Sequence, residues 1–419
     1  MMEPIPAHLL PFVVAQPYPS YTAIDQAVWR YVMRQNVAFH RAHAHPIYLE
    51  GLKAAEIEVE EIPRIERMNE SLSRFGWRAV AVDGFIPPAS FMEFQARGIL
   101  PVACDMRTVD HVSYTPAPDI IHEAAGHAPI LRDESFTAYV KTLCELGSQA
   151  RSTPEDDALY EAIRHLSILK ETLSSTPREV RAAEDRLEQC QAAIGTVSDA
   201  NMVSRLYWWT VEYGLMGNLD QPRIFGAGLL SSVGESQRVF TDAVRKIPFD
   251  LDRCITTSYD ITSYQPQLFV CESFEQLTEA VHILAKRLGL PLGRIANESA
   301  EIPVPPRVSR RSSQDTPEKG YPTELVAMYQ SLRDLRRPAV GAAERETCLR
   351  ALYADFASFP EHWLLRLEWL EVATCHQVLP QAQERVRAQL RALSADADRR
   401  ELIANGLAML DTAAVSGPT

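Results

Sequence analysis

Two histidines and one glutamate are the residues here best suited to act together. His122 and His127 lie five positions apart in Asp119-Ile-Ile-His122-Glu123-Ala-Ala-Gly126-His127-Ala-Pro129, and Glu212 follows 85 residues later in Leu206-Tyr207-Trp208-Trp209-Thr-Val-Glu212-Tyr213. Two neutral imidazoles and a carboxylate form the ligand set of non-haem Fe(II) oxygenases, which leaves coordination positions open for oxygen and substrate; zinc or manganese could use the same donors. The run HEAAGH also invites the zinc-peptidase pattern HExxH, whose histidines are four apart and share a helix face. Here the spacing is five, about 140° around a regular helix, so an undistorted helix would aim the rings at different sides. Convergence requires the helix to end or distort at His127, which Gly126 and Pro129 permit. Glu212 sits among apolar and aromatic residues, so its carboxylate needs a partner or a cation.

The elements that must position these groups come from a chain of 419 residues with 46% hydrophobic and 23% charged positions, ordinary globular values. The formal net charge of −13 opposes broad attraction to nucleic acid or anionic membranes. No apolar run is long enough to span a bilayer, and residues 1–14 lack the marks of a secretory signal, so a cytoplasmic location is expected. Seven scattered cysteines without a CxxC pair predict free thiols. Residues 1–300 read as one mainly α catalytic domain with small β elements. Within it, 153–195 shows two amphipathic runs broken before Pro177, predicting an inserted helical hairpin. Residues 301–323, rich in Pro, Ser and charge, read as a linker, and 324–419 as a helical C-terminal appendage. That appendage carries no catalytic constellation and is expected to bind a protein partner or a second copy. His40, His43 and His45 form another cluster, read as structural.

Four blocks carry a resemblance: Thr115-Pro-Ala-Pro-Asp-Ile-Ile-His122-Glu-Ala-Ala-Gly-His127-Ala-Pro129, Tyr207-Trp-Trp-Thr-Val-Glu212-Tyr-Gly-Leu-Met216, Gly226-Ala-Gly-Leu-Leu-Ser231-Ser-Val-Gly-Glu235, and Tyr259-Asp-Ile261-Thr-Ser-Tyr-Gln-Pro-Gln-Leu-Phe-Val-Cys-Glu-Ser-Phe274. In order and character they are similar to the tetrahydropterin-dependent aromatic amino acid hydroxylases, from roughly Gln16 to Leu290. The resemblance implies that His122, His127 and Glu212 hold Fe(II). It implies that Arg107 grips the carboxylate of the amino acid, with Thr115 and Ser231 near the same end. Gly84, Phe85, Ile86 and Phe91 would form the cofactor loop for tetrahydrobiopterin or a related tetrahydropterin, and Glu123 would reach the pterin through water. Tyr207 and Trp208 would line the iron cavity and the ring pocket.

Trp208 stands where members using single-ring substrates carry tryptophan, and Ile261 where an apolar residue accompanies phenylalanine use. The implied reaction is therefore phenylalanine to tyrosine with O2, with meta-hydroxylation and the use of tyrosine or tryptophan as alternatives. From other classes, a metal-dependent hydrolase and a non-catalytic binding protein are weighed against it.

Overall fold

The computed structural model describes residues 4–293, 295, 321–393 and 397–416, apart from 116, 172–174, 196 and 262. The expected linker therefore lies outside the described residues as far as 320. Helices dominate, with two small sheets, in agreement with the expected fold class. None of the described helices is long and apolar enough to cross a membrane.

The chain divides into two compact units. The first gathers Met1–Tyr18, Asn36–Arg107 and Tyr114–Val308. Its three-stranded sheet pairs Val13–Val14 antiparallel with Arg78–Val82, which runs parallel to Ile99–Ala103 in the register Arg78↔Ile99 to Val82↔Ala103. A parallel pair needs a crossover, and the helix Pro88–Ala96 supplies it. Strand Arg78–Val82 leads into the Gly84–Ile86 loop, and Ile99–Ala103 leads to Arg107. The second sheet has the order Arg223–Ile224, Leu215–Met216, Gln267–Cys271, Arg245–Pro248. Its strand Leu215–Met216 continues directly from the Glu212 segment.

The inserted segment forms the helices Pro154–Glu171 and Pro177–Ala193. Their facing stripes bury Ala162, Leu166, Ala183, Leu187 and Cys190 in one cluster. Pro177 occupies the first turn, where its missing N–H costs nothing, and Thr176 with Glu179 completes a reciprocal cap.

The second unit gathers Pro19–Gln35, Thr108–Ser113 and Ser309–Thr419, so it draws on two stretches that linear texture places within 1–300. Its C-terminal helices are Thr323–Leu335, Ala342–Asp355, Trp363–Cys375, Pro380–Ala392 and Ala397–Ser416. Trp363–Cys375 is buried along most of its length yet carries Glu368 and Glu371. Arg30 and Arg336 meet one Glu368 oxygen at 2.6 and 2.8 Å, while Arg336 and Arg34 hold Glu371 at 2.8 and 2.6 Å. The guanidiniums outweigh burial and hold both carboxyls below the usual carboxylate range.

Removing one partner of such a network strands buried charge. Glu368→Ala is expected to destabilise this unit by about 3–5 kcal/mol, whereas Glu184→Ala, which removes the exposed bridge to Lys170, should cost less than about 1 kcal/mol. Chemical denaturation of the full chain checks this, and equal costs would contradict it.

Candidate metal centre and substrate pocket

The five-residue histidine spacing is resolved by a change of helix. His122–His127 forms a π-helical turn, in which the Ala128 N–H bonds to the Glu123 carbonyl five residues back. That wider turn brings residues five apart to the same side. The distortion begins at His122, not at His127 as the sequence suggested, and the helix runs on through Ala128–Ile130. Pro129 does not end it. Having no N–H to offer Ala125, Pro129 leaves that carbonyl to the buried Tyr48 hydroxyl at 2.9 Å.

Glu212 is presented by a second π-helical turn, Trp208–Glu212, closed by Tyr213 N–H to Trp208 C=O at 2.9 Å. Here the Thr210 hydroxyl donates to the Leu206 carbonyl at 2.5 Å, a local competitor for backbone bonding that distorts helices. Close backbone approach then locks both turns against the helix Ala227–Ser231. A Cβ on Gly126 would stand 2.6 Å from the Ala227 oxygen, and one on Gly226 would stand 2.4 Å from the Glu212 oxygen.

The result is a compact donor set. The Nε2 atoms of His122 and His127 are 3.1 Å apart, and the Glu212 oxygens lie 3.2 Å from His122 Nε2 and 3.1 Å from His127 Nε2. Two imidazole nitrogens and a carboxylate gathered this closely are a donor set that suits a first-row divalent cation. Glu123 also has a donor atom within 4.8 Å of those of the two histidines. Its Oε2, however, is 4.0 Å from His127, so Glu212 is the nearer third donor.

Electrostatics agree with a cation at this point. Burial disfavours the Glu212 carboxylate, yet the facing imidazoles of His127 and His122 hold it well below the usual carboxylate range. Burial pulls His122 down, but the Glu212 carboxylate, then Glu123 and Asp119, raise it to about 9. Burial pushes Glu123 up to about 7 against the pull of His122 and His127, and its Oε2 is buried without a hydrogen-bond partner. Such an atom is able to meet a bound molecule.

The surroundings orient the ligands. Ser231 Oγ donates to the Ala227 carbonyl at 2.8 Å and lies 3.2 Å from His122 Nδ1. With its proton committed there, Ser231 accepts from Nδ1–H and leaves Nε2 of His122 to ligate, an arrangement common around metal-bound histidine. Asp119, 2% exposed, accepts four bonds: from Arg107 N–H at 3.0 Å, Nε at 2.8 Å and Nη2 at 2.9 Å, and from His122 N–H at 2.9 Å. The guanidinium outweighs burial and keeps Asp119 ionised. Arg107 is thus buried with its Nε edge already paired, and its Nη1 donates to the Ser231 carbonyl at 3.2 Å.

The remaining expected residues are placed as follows. Thr115 Oγ1 is engaged with the Ala117 carbonyl at 3.1 Å. Gly84 adopts φ 64°, a left-handed conformation that suits glycine, with Phe85 half-buried and Ile86 buried beside it. Phe91 sets its ring 5.9 Å from Tyr207 at 76°, and the Tyr207 hydroxyl accepts from Gln95 Nε2 at 2.9 Å. Trp208 stacks on Tyr259 at 4.4 Å and 11° and meets Tyr213 at 4.7 Å. The Ile261 carbonyl receives the Tyr114 hydroxyl. Away from this site, His40 is buried against the Leu230 carbonyl and His43 bonds to the Phe39 carbonyl, as structural residues do.

Sequence reasoning missed Asp119, Tyr48, Gln95 and Gln265. Asp119 alone left a local signal, an acidic residue three positions before the first histidine of a helical turn.

Comparison with known proteins identifies the family. The sequence matches the model of the family described as biopterin-dependent aromatic amino acid hydroxylase over residues 13–151 and 146–300. It is 32% identical over 271 residues to phenylalanine-4-hydroxylase of Ralstonia nicotianae, covering 64% of this chain and 72% of that one. The corresponding Chromobacterium violaceum protein is 30% identical, covering 64% and 76%. Among solved structures, C. violaceum phenylalanine hydroxylase with bound iron(III) and 7,8-dihydrobiopterin has a TM-score of 0.52 at 28% identity, covering 70% of this chain and 93% of that one. The iron- and phenylalanine-bound form has a TM-score of 0.50 at 29% identity, covering 68% and 92%. The chain belongs to the biopterin-dependent aromatic amino acid hydroxylases.

Proposed function

We propose that this enzyme is a non-haem Fe(II), tetrahydropterin-dependent monooxygenase that hydroxylates free phenylalanine to tyrosine with O2. The observation that carries the reading is the convergence of His122 Nε2 and His127 Nε2, 3.1 Å apart, on the two oxygens of Glu212 at 3.2 and 3.1 Å. When bound, Fe(II) with a reduced pterin supplies the two-electron activation of O2 that an unactivated aromatic ring requires. The chain's own residues bind, orient and shield.

His122, His127 and Glu212 hold the iron, and Ser231 keeps His122 in the ligating tautomer. Arg107 takes the substrate carboxylate through the guanidinium hydrogens that Asp119 and the Ser231 carbonyl leave available, and Asp119 fixes that guanidinium in advance. Thr115 flanks the same end, while Trp208 and Ile261 line the ring pocket. On the other side, Phe91 offers a ring edge-on to Tyr207, Gly84 to Ile86 offer backbone groups, and Glu123 offers its unpartnered oxygen to the pterin. The seven free cysteines, five of them buried, support a cytosolic setting. The helices from Thr323 onward are assigned to a protein partner or to self-association.

The direct test loads the full chain with Fe(II) anaerobically, adds phenylalanine, tetrahydropterin and oxygen, and identifies the product against ring-isomer standards. Para-tyrosine is expected, the meta isomer would revise the ring position, and absence of both would remove the substrate assignment. Glu212→Ala should bind Fe(II) at least about 100-fold more weakly and form no product.

Two further variants separate the roles. Ser231→Ala should weaken Fe(II) binding by about 10- to 100-fold, read by competition with a chelator; unchanged affinity would contradict its orienting role. Asp119→Asn should raise the KM for phenylalanine by about tenfold or more, with the pterin KM much less affected. An equal rise in both would contradict a specific link from Asp119 to the amino acid site.

A further inference from the structure

Trp208 and Ile261, to which the proposed function gives the ring pocket, sit on different elements. Trp208 opens the Trp208–Glu212 turn, whereas Ile261 lies beyond the helix Leu251–Thr256. One buried side chain joins them. Gln265, 2% exposed, donates through Nε2 to the Asp260 carbonyl at 2.7 Å and the Ser263 carbonyl at 2.8 Å, on either side of Ile261. Its Oε1 accepts from the Trp208 indole N–H at 3.4 Å. Its own backbone N–H is anchored on buried Glu235 Oε1 at 3.2 Å.

Both ends of this amide are therefore in use, the amide hydrogens on the segment that carries Ile261 and the oxygen on the indole. The same segment grips Trp208 a second time through the Tyr259 ring at 4.4 Å. A second tether, the Tyr114 hydroxyl, bonds the Ile261 carbonyl independently of Gln265. Without water to replace them, the bonds of a buried amide set the distance between the groups it joins.

We propose that Gln265 is a positioning residue for ring selectivity: it fixes Trp208 and Ile261 in one frame, whose spacing admits a single-ring amino acid side chain in preference to a two-ring indole. Gln265 touches neither iron nor substrate and acts through the residues it holds. The proposal rests on the phenylalanine hydroxylase reading and deepens it.

The test uses the full Fe(II)-loaded chain with Gln265→Met, close in shape but without the amide, and with Tyr114→Phe, which removes only the second tether. The readouts are the ratio of kcat/KM for phenylalanine to that for tryptophan, and the distribution of ring isomers. Losing hydrogen bonds of ordinary strength should lower the ratio by about 3- to 10-fold in Gln265→Met, and by a smaller factor in Tyr114→Phe, with the pterin KM within about twofold of wild type.

An unchanged ratio and unchanged isomers, or equal losses on both amino acids, would overturn the role of Gln265. If Gln265→Met does not fold, Gln265→Asn, whose amide is too short to hold both segments at once, decides by the same criteria. Wild-type protein that forms no hydroxylated phenylalanine would instead overturn the underlying reading, and the proposal with it.

Discussion

Two imidazole nitrogens 3.1 Å apart, each facing its own oxygen of the Glu212 carboxylate at 3.1–3.2 Å, are the constraint around which the first unit is organised. A regular helix cannot bring histidines five apart to that point, and the chain meets the demand with two π-helical turns. A competing hydrogen bond accompanies each: Pro129 withholds an N–H and the distant Tyr48 fills its place, while Thr210 draws locally on the Leu206 carbonyl. The glycines at 126 and 226 then let the two turns pack directly on backbone. A side chain at either position would collide with that backbone, at 2.6 Å for residue 126 and 2.4 Å for residue 226.

Asp119 connects this centre to Arg107, the proposed grip on the amino acid. One buried carboxylate takes three bonds from Arg107 and one from the His122 backbone, so the cation that would meet a substrate carboxylate and the ligand that would meet the metal share a support. Such an arrangement fixes orientation before any ligand arrives, the condition under which positioning contributes most to rate. Gln265 is proposed to do the corresponding work at the ring end of the pocket, and the two supports lie on different segments.

Much of this was legible in the residues themselves. The histidine spacing announced a distortion, the aromatic setting of Glu212 announced a partnered carboxylate, and the amphipathic runs around Pro177 announced a hairpin whose cap and core the structure supplies. What the sequence concealed was long-range or geometric. It could not distinguish a helix that ends at His127 from one that widens at His122, because the deciding donor, Tyr48, lies more than seventy residues away. Gln265 reads as an ordinary polar residue before a proline, and only the fold brings Trp208 to it. The ion network of the second unit joins residues 30 and 34 to 336, 368 and 371, separations over which no local pattern speaks.

The central claim is that His122, His127 and Glu212 hold one iron between them. Anomalous diffraction at the iron edge, on crystals of the Fe(II)-loaded chain, addresses it most directly. One peak within bonding distance of both Nε2 atoms and a Glu212 oxygen is predicted. A peak elsewhere, or one ligated by Glu123 in place of Glu212, would contradict it.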